Sequence, residues 1–339
     1  VNVIGRAWHG LLDCTRLLGA AMWLTTTGVA SQTVAPATGA DAAALFARLR
    51  DAAEHLNYEG TLVFGSGPIV ASSRVAHFCV NGRSYERVEQ LTGERRQEYR
   101  QDGMVHTVWP AERVATVEQH MPAADPRLTS LPDANAADSY RIAHTGTDRI
   151  ADREVEVLML QPVDLLRYPQ RLWVDRLSGL LLRADVLSES GLPLEFSTFS
   201  DIRIGGRPRP EKVTEPVQHL AGYRIQRSPV ASADLLDEGW SIPAIPGFKL
   251  IGCSRRPLVN GGAFVANTRM ALQSVFSDGM THVSVFIEAY DPAHHRPQRS
   301  TVGAAHTLAE RRGDWWITIV GDVPMATVQR FADALVRRH

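Results

Sequence analysis

The sequence predicts a mostly β, α+β protein of two domains: a strongly curved, unclosed antiparallel barrel with packed helices, then a smaller α+β domain. Three observations carry this. Turn signals recur every few residues between Gly65 and Gly191 with alternating apolar stretches between them, Gly205 to Pro216 breaks that rhythm, and amphipathic segments stand near both ends. With 339 residues, 44% of them hydrophobic, the chain is long enough for two cores.

Residues 1–30 read as a secretory signal. Arg6 and Arg16 flank a weakly basic start, Leu17 to Ala30 is an apolar run, and Gly28-Val29-Ala30 offers small residues for cleavage before Ser31. That run is shorter than the roughly 20 residues needed to cross a bilayer, so a soluble exported protein is expected. Ser31 to Ala40 is a polar tail. Asp41 then caps an Ala-rich helix in which Leu45, Phe46, Leu49, Ala53 and Leu56 form one stripe.

The first domain is expected over 41–204. Its first strand begins at Leu56-Asn57-Tyr58, where the period switches from 3.6 to 2. Strands follow at Ile69–Val80, Ser84–Gln90, Arg95–Arg100, Met104–Trp109, Val114–His120, Ser139–His144, Glu154–Gln161, Tyr168–Asp175, Leu180–Ser188 and Leu192–Ile204. So many sequential strands accumulate twist and must curl, with the helix on the concave side. Met121 to Asn135 is too long for a tight turn and reads as a long loop or a short helical excursion.

Residues 205–216, GGRPRPEKVTEP, read as a linker, since glycines end the strand and prolines supply no backbone donors. The second domain, 217–339, holds a hairpin, LQSVFSDGMTHVSVFIEAY over 272–290, turning at Asp278-Gly279. Val283, Val285 and Ile287 share one face of its second arm; His282, Ser284, Phe286 and Glu288 share the other. Gly303 to Arg311, a Gly313-Asp314 turn and Trp315 to Val320 follow. Asp322-Val323-Pro324 opens a closing helix whose stripe is Val328, Phe331, Leu335 and Val336.

The 36 basic and 37 acidic residues leave a formal net charge of −1, which removes an electrostatic case for bulk nucleic-acid binding. Nearly all the basic residues are Arg; the lysines are Lys212 and Lys249. Enzymes of the common kinds leave residues at telling spacings, and neither a nucleophile elbow, a phosphate loop, a His-Glu-x-x-His pair nor a Cys-x-x-Cys is present. His294-His295 sits in a Pro-flanked loop without a third ligand at metal spacing, so it reads as solvated. His77, His106, His144 and His282 fall in strands, where a hydrogen-bonded or half-exposed imidazole is the ordinary reading. Glu86 with Glu89 and Glu154 with Glu156 read as strand-face solvation. Cys79 and Cys253 are expected as separate thiols, with a bond joining the two domains as the alternative. No cofactor and no metal is expected, and no enzymatic activity.

The aromatic-Ser-Asp-Gly turn running into Val-Ser-Val-Phe-Ile-Glu resembles the C-terminal domain of the MucB/RseB family. Leu56-Asn57-Tyr58-Glu59-Gly60-Thr61 after an Ala-rich helix is similar to the start of that family's N-terminal domain, and Gly303-Ala304-Ala305-His306 and the closing Pro-Met-Ala helix to its end. The resemblance implies a lipoprotein-carrier-like N-terminal domain with an apolar cavity. It also implies a periplasmic negative regulator that binds the periplasmic domain of a transmembrane anti-sigma factor (RseA/MucA-like), shields it from a site-1 protease and releases it on an envelope-stress signal such as lipopolysaccharide. A homo-oligomer is compatible with it. A lipid or lipoprotein carrier is the alternative; a hydrolase with an unrecognised site is a third.

Two candidate sites follow. Tyr58, Gly60, Leu62 and Phe64 share one face of the first strand and are expected to look inward with Phe78 and Trp109 around an acyl lipid. His282 and Phe286, with whichever of Trp315 and Trp316 points outward, are expected to meet the anti-sigma partner, because core packing accounts for one indole and not both.

Overall fold

In the computed structural model, residues 39–119, 134–227, 230–258 and 269–338 are described; the expected signal segment, the polar tail up to Thr38 and most of Met121 to Asn135 lie outside them. Helix α1 spans Gly39–His55, so Asp41 sits in its first turn rather than before it, where its charge favours the helix dipole. Of the expected stripe, Phe46 and Leu49 are almost inaccessible while Leu45, Ala53 and Leu56 are half-buried; Ala52 is buried beside them.

Among the described residues eleven strands follow, most of them close to the expected positions, with β7 running six residues past the expected end: β1 Tyr58–Ser66, β2 Ile69–Val80, β3 Arg83–Gln90, β4 Gln97–Gln101, β5 Met104–Trp109, β6 Val114–Gln119, β7 Tyr140–Ile150, β8 Arg153–Pro162, β9 Gln170–Asp175, β10 Leu181–Leu187 and β11 Pro193–Ile204. A short 3-10 turn, Ala134–Asp138, precedes β7. The order in the sheet is β6-β5-β4-β3-β2-β1-β11-β10-β9-β8-β7. It is therefore two meanders joined by the pairing of β1 with β11, curved and unclosed.

The pleat gives this sheet two different faces. On the inner face α1 packs over Ile142, Leu158, Leu160, Leu172 and Val174, and Ala52 joins Val75 and Phe199. The outer face of the first meander buries Ala76, Phe78, Tyr99, Val108 and Ala115. What covers it is a helix within the segment expected to be a linker: α2, Glu211–Gln218, opens after Pro210, tolerates Pro216 near its end and places Val213 in that cluster. The chain then returns to the first sheet, because β12, Arg224–Arg227, pairs in parallel with β6.

The second sheet contains β13 Ala231–Ser232, β15 Lys249–Pro257, β16 Met270–Ser277, β17 His282–Ala289, β18 Gln298–Val302, β19 Ala305–Arg312 and β20 Trp315–Gly321, in the order β13-β15-β16-β17-β20-β19-β18. A two-residue pair, β14 Trp240–Ser241 with β21 Val336–Arg337, closes its end. Helix α3, Met325–Ala334, lays Val328, Phe331 and Ala332 on the face carrying Val283, Val285, Ile287, Ile317 and Ile319. Leu335 is buried as expected, but Val336 is 49% exposed because the helix has ended and the chain is extended there.

The hairpin forms as expected, with Gly279 at φ 95°. Its tip, however, is buried. Met280 joins the cluster beneath α1, and Asp278 is fully inaccessible, its carboxylate 2.9 Å from Arg167 Nε of the β8–β9 loop. Tyr140 donates to it at 3.3 Å. Its other oxygen accepts from the backbone of Met280 and Thr281 at 2.9 and 2.8 Å. Arg167 also donates to Pro246 O, and its guanidinium lies 5.0 Å from the Phe248 ring centre.

Candidate functional site

The inner face of the first sheet carries an apolar cavity of about 280 Å3. Tyr58, Leu62 and Phe64 line it from one face of β1. Val75 and Phe199 join them from the neighbouring strands, and Leu180 to Ala184 form the opposite wall. Tyr58 is fixed by its neighbours, stacked on His77 at 5.1 Å between centroids and edge-on to Phe199 at 6.2 Å. His77 is itself hydrogen-bonded, through Nδ1 to Leu56 O at 2.8 Å and Nε2 to Ser84 Oγ at 2.9 Å. Phe64 is 40% exposed, and Ile69 and Val70 at the start of β2 and Leu192 just before β11 are also exposed, so the strand ends beside the cavity present an apolar rim.

Three residues expected here stand elsewhere. Phe78 is on the outer face, under α2, because it pairs with Tyr85 and is one residue out of phase with Val75 and His77. Trp109 is on the inner face but four strands from β1, outside the cavity lining. Gly60 faces β11: a Cβ there would lie 2.3 Å from Asp201 O, so the glycine lets two backbones approach beside the bulge at Thr61/Leu62. Sequence reasoning missed the far wall and Glu195, since β1 and β11 pair across more than a hundred residues.

Glu195 is the polar group that connects this cavity to the second sheet. It lines the cavity, and its Oε1 accepts from Ser66 Oγ at 2.6 Å and from Ala304 N at 3.2 Å, in the turn between β18 and β19. Gly303, at φ 58°, leads into that turn; a Cβ there would meet Ser66 Oγ at 2.1 Å. Asp322 is half-buried and feels the Glu195 charge. Burial, then the Glu195 charge, push its carboxyl up to about 6.

On the second sheet, Phe286 is half-buried on the face opposite α3, across from Gln273 and Thr318. His282 shares that face and is half-buried. Trp316 shares it too but is not outward-facing: it is 5% exposed beneath His295, the rings parallel to within 3° at 4.7 Å. The Asp291–His295 loop folds back, with Asp291 N donating to His295 Nδ1, so His295 is buried and only His294 is solvated. Trp315 is on the opposite face, at the rim of the core, edge-on to Trp240 at 5.7 Å with the Arg337 guanidinium 5.1 Å from its ring centre. Cys79 and Cys253 are half-buried and unbonded to each other; Cys253 Sγ lies 3.4 Å from Ser274 Oγ. Among the described residues, no His/Cys/Asp/Glu group could hold a metal ion and no helix is long and apolar enough to cross a membrane.

Residues 41–217 match the MucB/RseB N-terminal domain and residues 235–336 the MucB/RseB C-terminal domain. The chain is 28% identical to the sigma factor AlgU regulatory protein MucB of Pseudomonas aeruginosa over 306 residues, 88% of this chain and 92% of that protein. It is 27% identical to the sigma-E factor regulatory protein RseB of Escherichia coli K12 over 314 residues, 90% and 92% of the two chains. Among solved structures, the Pseudomonas aeruginosa MucA/MucB complex matches with a TM-score of 0.65 and 25% identity over 88% of this chain and 99% of that one. Both halves of the family's architecture are therefore matched in order along one chain, which belongs to the MucB/RseB family.

Proposed function

We propose that this protein is a periplasmic, non-enzymatic regulator. It binds the periplasmic domain of a MucA/RseA-like anti-sigma factor, shields it from site-1 proteolysis and releases it when a lipid such as lipopolysaccharide enters the cavity of the first sheet. The anti-sigma part rests on similarity to proteins named as sigma-factor regulators, one of them solved with MucA. The observation that carries the lipid-gated part is Glu195, which lines the apolar cavity and also holds the second sheet through Ala304.

One buried acyl chain of about 12 carbons would contribute ~9 kcal/mol gross at 0.8 kcal/mol per methylene. A ligand that displaces Glu195 by enough to weaken partner binding tenfold needs to spend only about 1.4 kcal/mol of this. Lipid binds at Tyr58, Leu62 and Phe64, and the anti-sigma segment docks on the Phe286 face of the second sheet, with Trp316 as its buried support.

The test mixes the purified protein with an anti-sigma periplasmic domain and its protease, with and without lipopolysaccharide. Protection that lipopolysaccharide reverses is expected, as is loss of that reversal in Leu62→Asp with the circular dichroism unchanged. Absence of protection refutes the anti-sigma role. Protection that lipopolysaccharide leaves intact, or full lipid retention by Leu62→Asp, refutes the assigned cavity.

A further inference from the structure

The outer face of the first sheet, across the backbone from the apolar cavity, is charged where its strands should be merely solvated. Two rows of residues run in register across β11, β1, β2 and β3. The first is Arg203, Glu59, Ala76, Arg87; the second is Asp201, Thr61, Arg74, Glu89. The two middle strands contribute the small side chains Ala76 and Thr61 between longer ones, so the face sinks into a hollow of about 390 Å3, with Lys212 of α2 at its edge.

The cations outnumber their carboxylates. Glu59 is shared by Arg203 at 3.6 Å, Lys212 at 2.5 Å and Arg209. Glu89, only 8% exposed, is shared by Arg87 at 2.9 Å, Arg74 at 3.3 Å and Arg95 at 3.6 Å. Asp201 is the third carboxylate on this surface. Burial opposes the ionised form of Glu59, yet the hydrogen bonds from Lys212 and Arg209 hold its carboxyl below the usual range. Three cations share Glu59 and three share Glu89, and Arg87 Nε is left buried without a hydrogen-bond acceptor.

We propose that this hollow is a binding site for a phosphate-class anion, distinct from the apolar cavity and independent of the anti-sigma reading. Arg74, Arg87 and Arg203 approach from three strands and Lys212 from the helix, so planar forks and one ammonium meet at a space closed on its sheet side. A tetrahedral oxyanion with more than one charge uses such donors from several directions, which a single carboxylate cannot do. The volume lies at the small end of ligand pockets and suits a phosphate or pyrophosphate group rather than a peptide. The phosphate can be soluble or can belong to a lipid headgroup.

Isothermal titration calorimetry on the whole protein distinguishes these sources, using sodium pyrophosphate, sodium phosphate, and vesicles of phosphatidylglycerol against phosphatidylcholine. Saturable binding of pyrophosphate is expected, weakened about tenfold or more in Arg74→Gln/Arg203→Gln, as befits lost charge-assisted hydrogen bonds. Arg299→Gln, on the exposed β18, should bind as the parent does. Binding of phosphatidylglycerol vesicles alone, lost in the same double variant, assigns the phosphate to a lipid. Thr61→Glu keeps every cation and places a carboxylate in the hollow, so it should also abolish binding even where the double variant folds poorly. No binding to any of these probes, or binding indifferent to both variants, overturns the proposal.

Discussion

Asp278→Ala is the substitution that most directly tests how the two sheets are held together. The carboxylate is fully buried, the Arg167 side chain is 1% exposed, and the two lie 2.9 Å apart. Removing the carboxylate strands a guanidinium whose remaining polar contacts are Pro246 O and Asp164 at 3.5 Å. Breaking a buried pair from one side costs about 3–5 kcal/mol, because the partner charge remains desolvated. The turn also loses the carboxylate oxygen that accepts from Met280 N and Thr281 N. At roughly 2 °C per kcal/mol for a chain of this size, the midpoint of thermal unfolding should fall by ~6–10 °C. Urea unfolding followed by tryptophan fluorescence measures the free energy directly. Arg167→Met combined with Asp278→Ala should be less destabilising than the sum of the single changes by about 1–3 kcal/mol. A loss below ~1 kcal/mol for Asp278→Ala, or strict additivity in the pair, would refute a structural role for the buried contact.

Two further outcomes follow from the Glu195 junction. The folded carboxyl of Asp322, at about 6, lies above its ordinary 3.8, so the folded state holds its proton more tightly. Its contribution is complete below pH ~4 and is lost as the pH rises through 6, a change of ~3 kcal/mol. Asp322→Asn, which keeps the neutral form, should flatten unfolding free energy between pH 4 and 7, and equal slopes in both proteins would contradict the assignment. Gly303→Ala meets Ser66 Oγ and Glu195 while forcing an alanine to φ 58°, and should cost about 1–3 kcal/mol in chemical unfolding; a neutral change would show that the junction gives way easily.

Local pattern made the strands legible, because period-2 alternation and turn residues are properties of neighbouring positions. It also identified Tyr58, Leu62 and Phe64 as one strand face. What stayed hidden depended on pairing between distant segments. Phe78 lies on the outer face and not the expected inner one, because strand register, not spacing along the chain, decides which side of the sheet it takes relative to Tyr58. The helix Glu211–Gln218 was obscured by prolines at both ends, which read as a linker although one stands where a helix tolerates it. At Trp315-Trp316, alternation correctly separates the two faces but cannot reveal that a loop roofs one of them. The buried role of Asp278 left one trace, an apolar Met280 at a hairpin tip where water-facing residues are usual.

Met280 also bears on the order in which the molecule can be assembled. Phe46 and Leu49 leave the ribosome long before Met280, yet their cluster is closed by that downstream side chain. Until the second sheet has been made and folded, the seat beneath α1 is an open apolar notch. Contacts of such wide sequence separation slow folding and prolong exposure of sticky intermediates. A fragment ending before the second sheet would carry that notch permanently, so its aggregation would say little about the binding properties of the intact first sheet.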